Sequence, residues 1–155
     1  MIIREYKPKD CSSMSKLFYE TIHTINAKDY TKEQIDVWAT GIVDLEEWNR
    51  AFLEHDTLIA EIDEKIVGFA DMDESGYLDR LYVDKDFLGM GIGTALISEL
   101  EQRARKNGLH FFETYSSITA KSFFEKQGYV IETENKVIRD GVTLMNYRMK
   151  KCITD

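Results

Sequence analysis

Between Tyr77 and Lys106 the chain passes from strand to helix across three glycines spaced two apart, and this junction restricts the possible folds more than any other stretch. YLDRLYV (Tyr77 to Val83) reads as a strand. After Gly89-Met90-Gly91-Ile92-Gly93, the residues Ile92, Leu96, Leu100 and Ala104 fall on one face of a helix, with Arg103, Arg105 and Lys106 near its C-terminal end and Gly108 placed as a left-handed cap. A loop entering a helix N-terminus offers backbone N–H groups with no partner inside the helix, and the helix dipole adds to their attraction for an anion. Tight helix packing would also account for Gly-x-Gly-x-Gly taken alone. The loop lacks the Lys-Ser/Thr ending of a P-loop, and antiparallel hairpins precede it where a dinucleotide-binding fold would have its first parallel βαβ unit. A different phosphate ligand is implied.

The flanking segments fill in an α/β (α+β) pattern. IIREY (residues 2–6) reads as a strand ending at Pro8, and Asp10 or Ser12 can cap a helix running through Met14, Leu17, Phe18 and His23. Asp29-Tyr30-Thr31 breaks it, Thr31 and Gln34 form a capping-box pair, and residues 32–55 read as helix in two pieces separated near Gly41. TLIAEID and IVGFADM alternate as a hairpin around Asp63-Glu64-Lys65, and a turn at Asp73-Glu74-Ser75-Gly76 leads back to YLDRLYV. Beyond Gly108, LHFFETY is a strand, Ser117 or Thr119 caps a short helix ending at Gly128, and YVIETENKVI with VTLMNYRMK form a hairpin about Asp140-Gly141. With 155 residues and no linker, the expectation is a single domain over residues 1–151 with a short tail at 152–155.

The net charge of −8 is unevenly spread: residues 1–100 carry 10 basic and 21 acidic side chains, residues 101–155 carry 10 and 7. An acidic chain is a poor general nucleic-acid binder, since it lacks the basic face that replaces phosphate counterions, and it would suit a cationic partner. No apolar run approaches a membrane-spanning length and the N-terminus is charged, so a soluble, cytoplasmic protein with no membrane partner is expected. Cys11 and Cys152 are expected as free thiols, and the scattered His23, His55 and His110 make no metal site by spacing.

Leu88-Gly89-Met90-Gly91-Ile92-Gly93 resembles the Gln/Arg-x-x-Gly-x-Gly/Ala acetyl-CoA loop of the GCN5-related N-acetyltransferase (GNAT) superfamily, with Leu88 in place of the leading polar residue. A second family pattern, Asn-x-x-Ala-x-x-x-Tyr-x-x-x-Gly-Phe, becomes Ser117-x-x-Ala120-x-x-x-Phe124-x-x-x-Gly128-Tyr129. YTKEQIDVWA, GYLDRLYV and SITAKSFFEKQGY are similar to the YafP-like group of bacterial acetyltransferases. The resemblance covers essentially the whole chain. It implies a GNAT fold: a mixed, mostly antiparallel sheet of six to seven strands, splayed between the fourth and fifth, flanked by about four helices. It further implies acetyl-CoA (coenzyme A) held by residues 88–94 (Leu88, Gly89, Met90, Gly91, Ile92, Gly93, Thr94), with pantetheine against Leu81, Tyr82 and Val83 and near Ser117, Ala120 and Phe124.

The same resemblance implies an acetyl-CoA-dependent N-acetyltransferase acting on a primary amine of a small molecule or peptide by direct attack in a ternary complex. A protonated amine cannot attack a thioester until a base takes its proton. Asp79, an acid inside an apolar strand where alternation groups it with Tyr77 and Leu81, is the first candidate, and pairing with Arg4 or Arg148 is its alternative role. Glu113 is the second candidate. Phe124 replaces the tyrosine that often protonates the leaving thiolate, so Tyr115 or Tyr82 would substitute, or the thiolate would leave through solvent. Tyr19, Tyr30, Trp38 and Trp48 could line the acceptor site or simply fill the core, and Asp36, Asp44, Asp71 and Asp73 could draw an amine. Two further readings compete: an acyl-CoA-binding regulatory module without turnover, and a nucleotide-binding domain. Oligomeric state stays open; the resemblance is to a family that often forms a homodimer through edge strands or the terminal hairpin, and VTLMNYRMK would leave such an edge.

Overall fold

The computed structural model describes residues 1–153. Seven strands form one sheet in the order β1-β2-β3-β4-β5-β7-β6: β1 Ile2–Glu5, β2 Asp56–Ile62, β3 Lys65–Met72, β4 Tyr77–Val83, β5 Phe111–Ser117, β6 Val130–Arg139 and β7 Val142–Cys152. The helices are α1 Cys11–Thr24, α2 Lys32–Trp38, α3 Leu45–Glu54, α4 Ile92–Lys106 and α5 Lys121–Lys126, with residues 32–54 forming the two pieces expected on either side of Gly41. Thr31 Oγ1 accepts from the Gln34 N–H at 3.2 Å and Gln34 answers at 2.9 Å, the capping box legible in the sequence. Asp10 precedes α1 without capping it. Its carboxylate is taken by Arg4 at 2.8 Å and by the Lys7 N–H at 2.9 Å.

The sheet is covered on both faces. Ile92, Leu96, Ile97 and Leu100 of α4 and Phe124 of α5 pack with Leu58, Met72, Leu78 and Phe112 on one side. On the other, Cys11, Met14 and Leu17 of α1 and Phe52 of α3 pack with Ile59 and Phe69. Central strands buried twice over explain why TLIAEI and IVGFA read as near-continuous apolar runs. Asp140 (φ 48°) and Gly141 (φ 78°) make the two-residue turn of the β6/β7 hairpin in the left-handed region. β6 is an edge strand with Val130, Ile131 and Ile138 exposed. β7 continues through Cys152, and the Ile153 N–H donates to the His110 carbonyl at 2.8 Å, so the expected tail at 152–155 begins inside the sheet; residues 154–155 lie outside the described residues. Both cysteines are free thiols. Among the described residues no helix is long and apolar enough to cross a membrane.

Two departures from ideal pairing shape the centre. β4 and β5 run parallel but pair only at Tyr77↔Glu113 and Leu78↔Thr114 before diverging. In β4, Asp71↔Arg80 is followed by Met72↔Leu78, leaving Asp79 as the extra residue of a β-bulge. The bulge inverts the alternation: Leu78, Leu81 and Val83 face α4, whereas Arg80 and Tyr82 face α1 and α3. The expected grouping of Tyr77, Asp79 and Leu81 on one face is therefore corrected.

Gly68 in β3 is where α4 comes closest to the sheet, since a Cβ there would lie 2.8 Å from Ile92 Cγ2 and 3.3 Å from both Leu96 Cδ1 and the Tyr82 carbonyl. Gly68→Val is expected to destabilise the fold by about 1–3 kcal/mol through overpacking, read as a lower urea midpoint at unchanged slope.

Candidate active site

The divergence of β4 and β5 opens a cleft of about 770 Å³. Thr114 Oγ1 donates to the Leu78 carbonyl at 2.9 Å where the ladder ends. From Asp79 to Val83, β4 has no strand partner on its β5 side, so its backbone can pair with an extended ligand as an added strand would. The Thr21 hydroxyl donates to the Val83 carbonyl at 3.0 Å and fixes α1 at the far end of this strand.

One end of the cleft is the entrance to α4. Gly91 (φ 78°) is its N-cap with no side-chain cap, and Gly89 has φ 75°; a Cβ at either would meet nothing within 4 Å. Both glycines are there for backbone conformation, and they leave the first N–H groups of the helix open to an anion. Gly93 has another reason, because a Cβ would lie 3.0 Å from the Phe123 ring. Leu88, Gly89, Gly91, Ile92, Gly93 and Thr94 line the cleft, as do Leu81, Tyr82, Val83, Ser117, Ala120 and Phe124. Met90 does not line it and is exposed, the middle residue of a loop whose flanking glycines turn inward. Ser117 ends β5, where its Oγ accepts from the Ala120 N–H at 3.0 Å. Phe124 is buried against Phe123 and Tyr129.

The β4 bulge carries the charge. Asp79 lines the cleft with its side chain 33% exposed, and burial pushes its carboxyl above the usual range. Neither Arg4 nor Arg148 reaches it; instead Arg80 Nη1 donates to Asp79 Oδ2 at 3.2 Å and to Asp71 Oδ2 at 2.8 Å. Arg80 is clamped over the rings of Trp48 and Phe52, 5.1 Å from each. Asp71 is fully buried and also hydrogen-bonds His55 Nδ1 at 2.8 Å. His55, Asp71 and Asp79 come close enough together to suggest a cation site, but Arg80 already occupies the space between the two carboxylates. His55 and Arg80 escaped sequence reasoning, since neither has a motif spacing. An acid inside IVGFADM was the visible sign that a buried partner had to exist.

The hydrogen bond to Asp71 holds the His55 pKa above its ordinary 6.5. The ion pair therefore contributes its full stability below the unfolded-state value and loses it as pH rises through the folded-state value. In urea titrations, the stability difference between wild type and His55→Gln is expected to be larger at pH 6 than at pH 9; a constant difference would exclude the linkage.

The other candidates separate cleanly. Glu113 does not line the cleft: it accepts from Arg148 of β7 at 2.9 Å. Tyr115 lines the cleft, 40% exposed, with its ring 6.1 Å from that of Tyr77. Tyr30 and Trp38 line the cleft, as do Asn26, Leu144 and Met145; the Tyr30 hydroxyl donates to the Met145 carbonyl at 2.7 Å and accepts from the Ile118 N–H at 2.9 Å. Trp48 is partly buried and packs against the core, edge-on to Phe18 and Phe52. Tyr19 lies on the outer side of α1, stacked on His23 at 4.0 Å and lining a separate cavity of about 290 Å³.

Comparison with known proteins agrees with this fold. Residues 26–151 match the family model of the acetyltransferase (GNAT) domain. YafP of Escherichia coli (strain K12), described as an uncharacterized N-acetyltransferase, is 28% identical over 148 residues, spanning 96% of this chain and 93% of YafP. A crystal structure described as a GCN5-related N-acetyltransferase: aminotransferase, class-II, from Rhodopseudomonas palustris is 34% identical and superposes with a TM-score of 0.93, covering 98% of this chain and 95% of that one. The PaiA N-acetyltransferase of Thermoplasma acidophilum, solved in complex with coenzyme A, has the same fold at 22% identity, with a TM-score of 0.81 and 98% coverage of both chains.

Proposed function

The chain belongs to the GNAT acetyltransferase family, and we propose that it transfers the acetyl group of acetyl-CoA to a primary amine by direct attack within a ternary complex. The observation that carries this reading is the cleft itself: an uncapped helix N-terminus at one end and an unpaired strand edge leading from it to a single carboxylate. The residues fit the carrier. The N–H groups opening α4 suit its diphosphate, the free edge of β4 suits the amides of its extended arm, and the bound molecule supplies an activated acetyl thioester.

Asp79 is the proposed general base. Its raised pKa makes it a better proton acceptor than an ordinary carboxylate. Asp79 takes the ammonium proton, and the freed amine nitrogen forms its bond to the carbonyl carbon. The carbon–sulfur bond breaks with its electron pair leaving on sulfur, and the second proton lost by nitrogen is balanced by protonation of that thiolate. The bulge turns β4 at this residue, and a backbone N–H in the divergent stretch is suited to hold the carbonyl oxygen as negative charge develops. Arg80, held by Asp71 and the two rings, positions Asp79.

Phe124 has no proton to give, so Tyr115 is the proposed acid for the thiolate, with release through solvent as the alternative. Tyr115→Phe is expected to lower kcat about tenfold, and Phe124→Tyr to leave a working enzyme; equal, small effects on turnover would remove the tyrosine-acid role.

The experiment is isothermal calorimetry with acetyl-CoA, NAD and ATP, followed by a CoA-release assay across amines. Saturable heat with acetyl-CoA alone and amine-dependent CoA release are expected. Tight acetyl-CoA binding without release from any amine would favour an acyl-CoA-binding regulatory module, for which Phe124 is the supporting residue. NAD or ATP binding in place of acetyl-CoA would overturn both, although the sheet has parallel pairing only at β4–α4–β5, where a dinucleotide fold is built from successive parallel βαβ units.

A further inference from the structure

The acceptor end of the cleft has a charge opposite to that of the chain. Its walls come from Ile25, Asn26, Tyr30 and Trp38 on one side and from the β6/β7 hairpin on the other. Most of these groups are apolar or already hydrogen-bonded. Asn135 Nδ2 donates to Asn146 Oδ1 at 2.8 Å, and the Tyr30 hydroxyl is engaged twice.

Arg139, at the end of β6, is the exception. It lines the cleft, and among the described residues it has no carboxylate partner, although the chain holds 28 acidic residues against 20 basic ones. Arg80, the other cationic residue lining the cleft, is fully engaged by Asp71 and Asp79. Arg139, Arg80 and Asp79 all line this one cleft. Asp79 is the single carboxylate in the lining.

We propose that the acceptor is a zwitterion, an amine that also carries a carboxylate, with Arg139 binding the carboxylate and the apolar and aromatic walls at Trp38, Val137 and Leu144 receiving its side chain. This rests on the acetyltransferase reading and narrows its acceptor. A guanidinium matches a carboxylate with two parallel N–H donors. A polyamine or an aminoglycoside would instead bring further cations against Arg139, with only the Asp79 carboxylate in the lining to offset them.

The test compares phenylalanine and leucine with their carboxamides and with spermine in the CoA-release assay, using wild type, Arg139→Gln and Arg139→Lys. The amides keep the amine and the side chain and lose only the negative charge. Wild type is expected to prefer each acid over its amide by on the order of 30-fold in kcat/KM, the strength of a charge-assisted pair. Arg139→Gln should bring that ratio close to one, and Arg139→Lys should restore part of it. Acetyl-CoA affinity by calorimetry should be the same in all three proteins, showing that they are folded. Preference for spermine or the amides in wild type, or an acid-to-amide ratio unmoved by Arg139→Gln, overturns the zwitterion assignment and leaves acetyl transfer standing. Acetyl-CoA binding with no CoA release from any of these amines overturns both.

Discussion

Asp79→Asn is expected to lower kcat/KM for acetyl transfer by about 10²–10⁴-fold while leaving acetyl-CoA affinity unchanged. Asparagine keeps the size of the side chain and its place in the bulge but cannot take a proton. The pH profile separates this from a structural effect. Burial holds the Asp79 carboxyl above its ordinary 3.8, so the wild-type rate should fall on the acid side at a pH higher than an exposed carboxylate would give. Asp79→Asn should lose that limb along with the rate. If the variant keeps the limb and more than about a tenth of the rate, the proton goes elsewhere, and His55, linked to Asp79 through Asp71 and Arg80, becomes the group to test.

The second large effect is expected at the helix entrance. Gly91→Val should weaken acetyl-CoA binding by on the order of 100-fold, because a left-handed conformation costs an L residue about 1–2 kcal/mol and a β-branched side chain more, so the loop relaxes and its N–H groups turn away from a shared target. A Cβ at Gly91 meets no neighbour, so the loss would come from conformation and not from a clash. Gly141 provides the control, with the same φ of 78° and open surroundings in the hairpin turn. Gly141→Val should cost comparable stability and leave acetyl-CoA affinity intact. Equal affinity in wild type and Gly91→Val, measured by calorimetry, would mean that the diphosphate does not sit at this helix.

Local signals carried much of the fold. The start of α4 at Ile92 follows from the glycines before it and the four-residue recurrence after it. The β6/β7 turn follows from Asp140-Gly141, and the start of α2 from Thr31 with Gln34. Each of these depends on residues within one or two turns of chain, so neighbouring sequence is enough to specify it. Expectations failed where the deciding partner was a side chain on another element, whether near in sequence or far. Asp10 looked like a cap and is an ion-pair partner of Arg4. Glu113 looked available and is held by Arg148, 35 positions away. Trp48 and Trp38 have the same aromatic character at helical spacing, yet one packs under Arg80 against the core and the other lines the cleft.

The sequence by itself determined the order of elements, the glycine-rich entrance to α4 and the presence of an acid in β4, because backbone propensity and periodicity are properties of short stretches. Tertiary structure decided where that acid points. A bulge is a mismatch in register between two strands, invisible in either strand alone, and here it inverts the alternation of β4, sends Arg80 to the rings of α3 and leaves Asp79 on the cleft wall. It also decided that Arg139, remote from Asp79 in sequence, faces the same cavity, since only the packing of the β6/β7 hairpin beside α2 encloses that space.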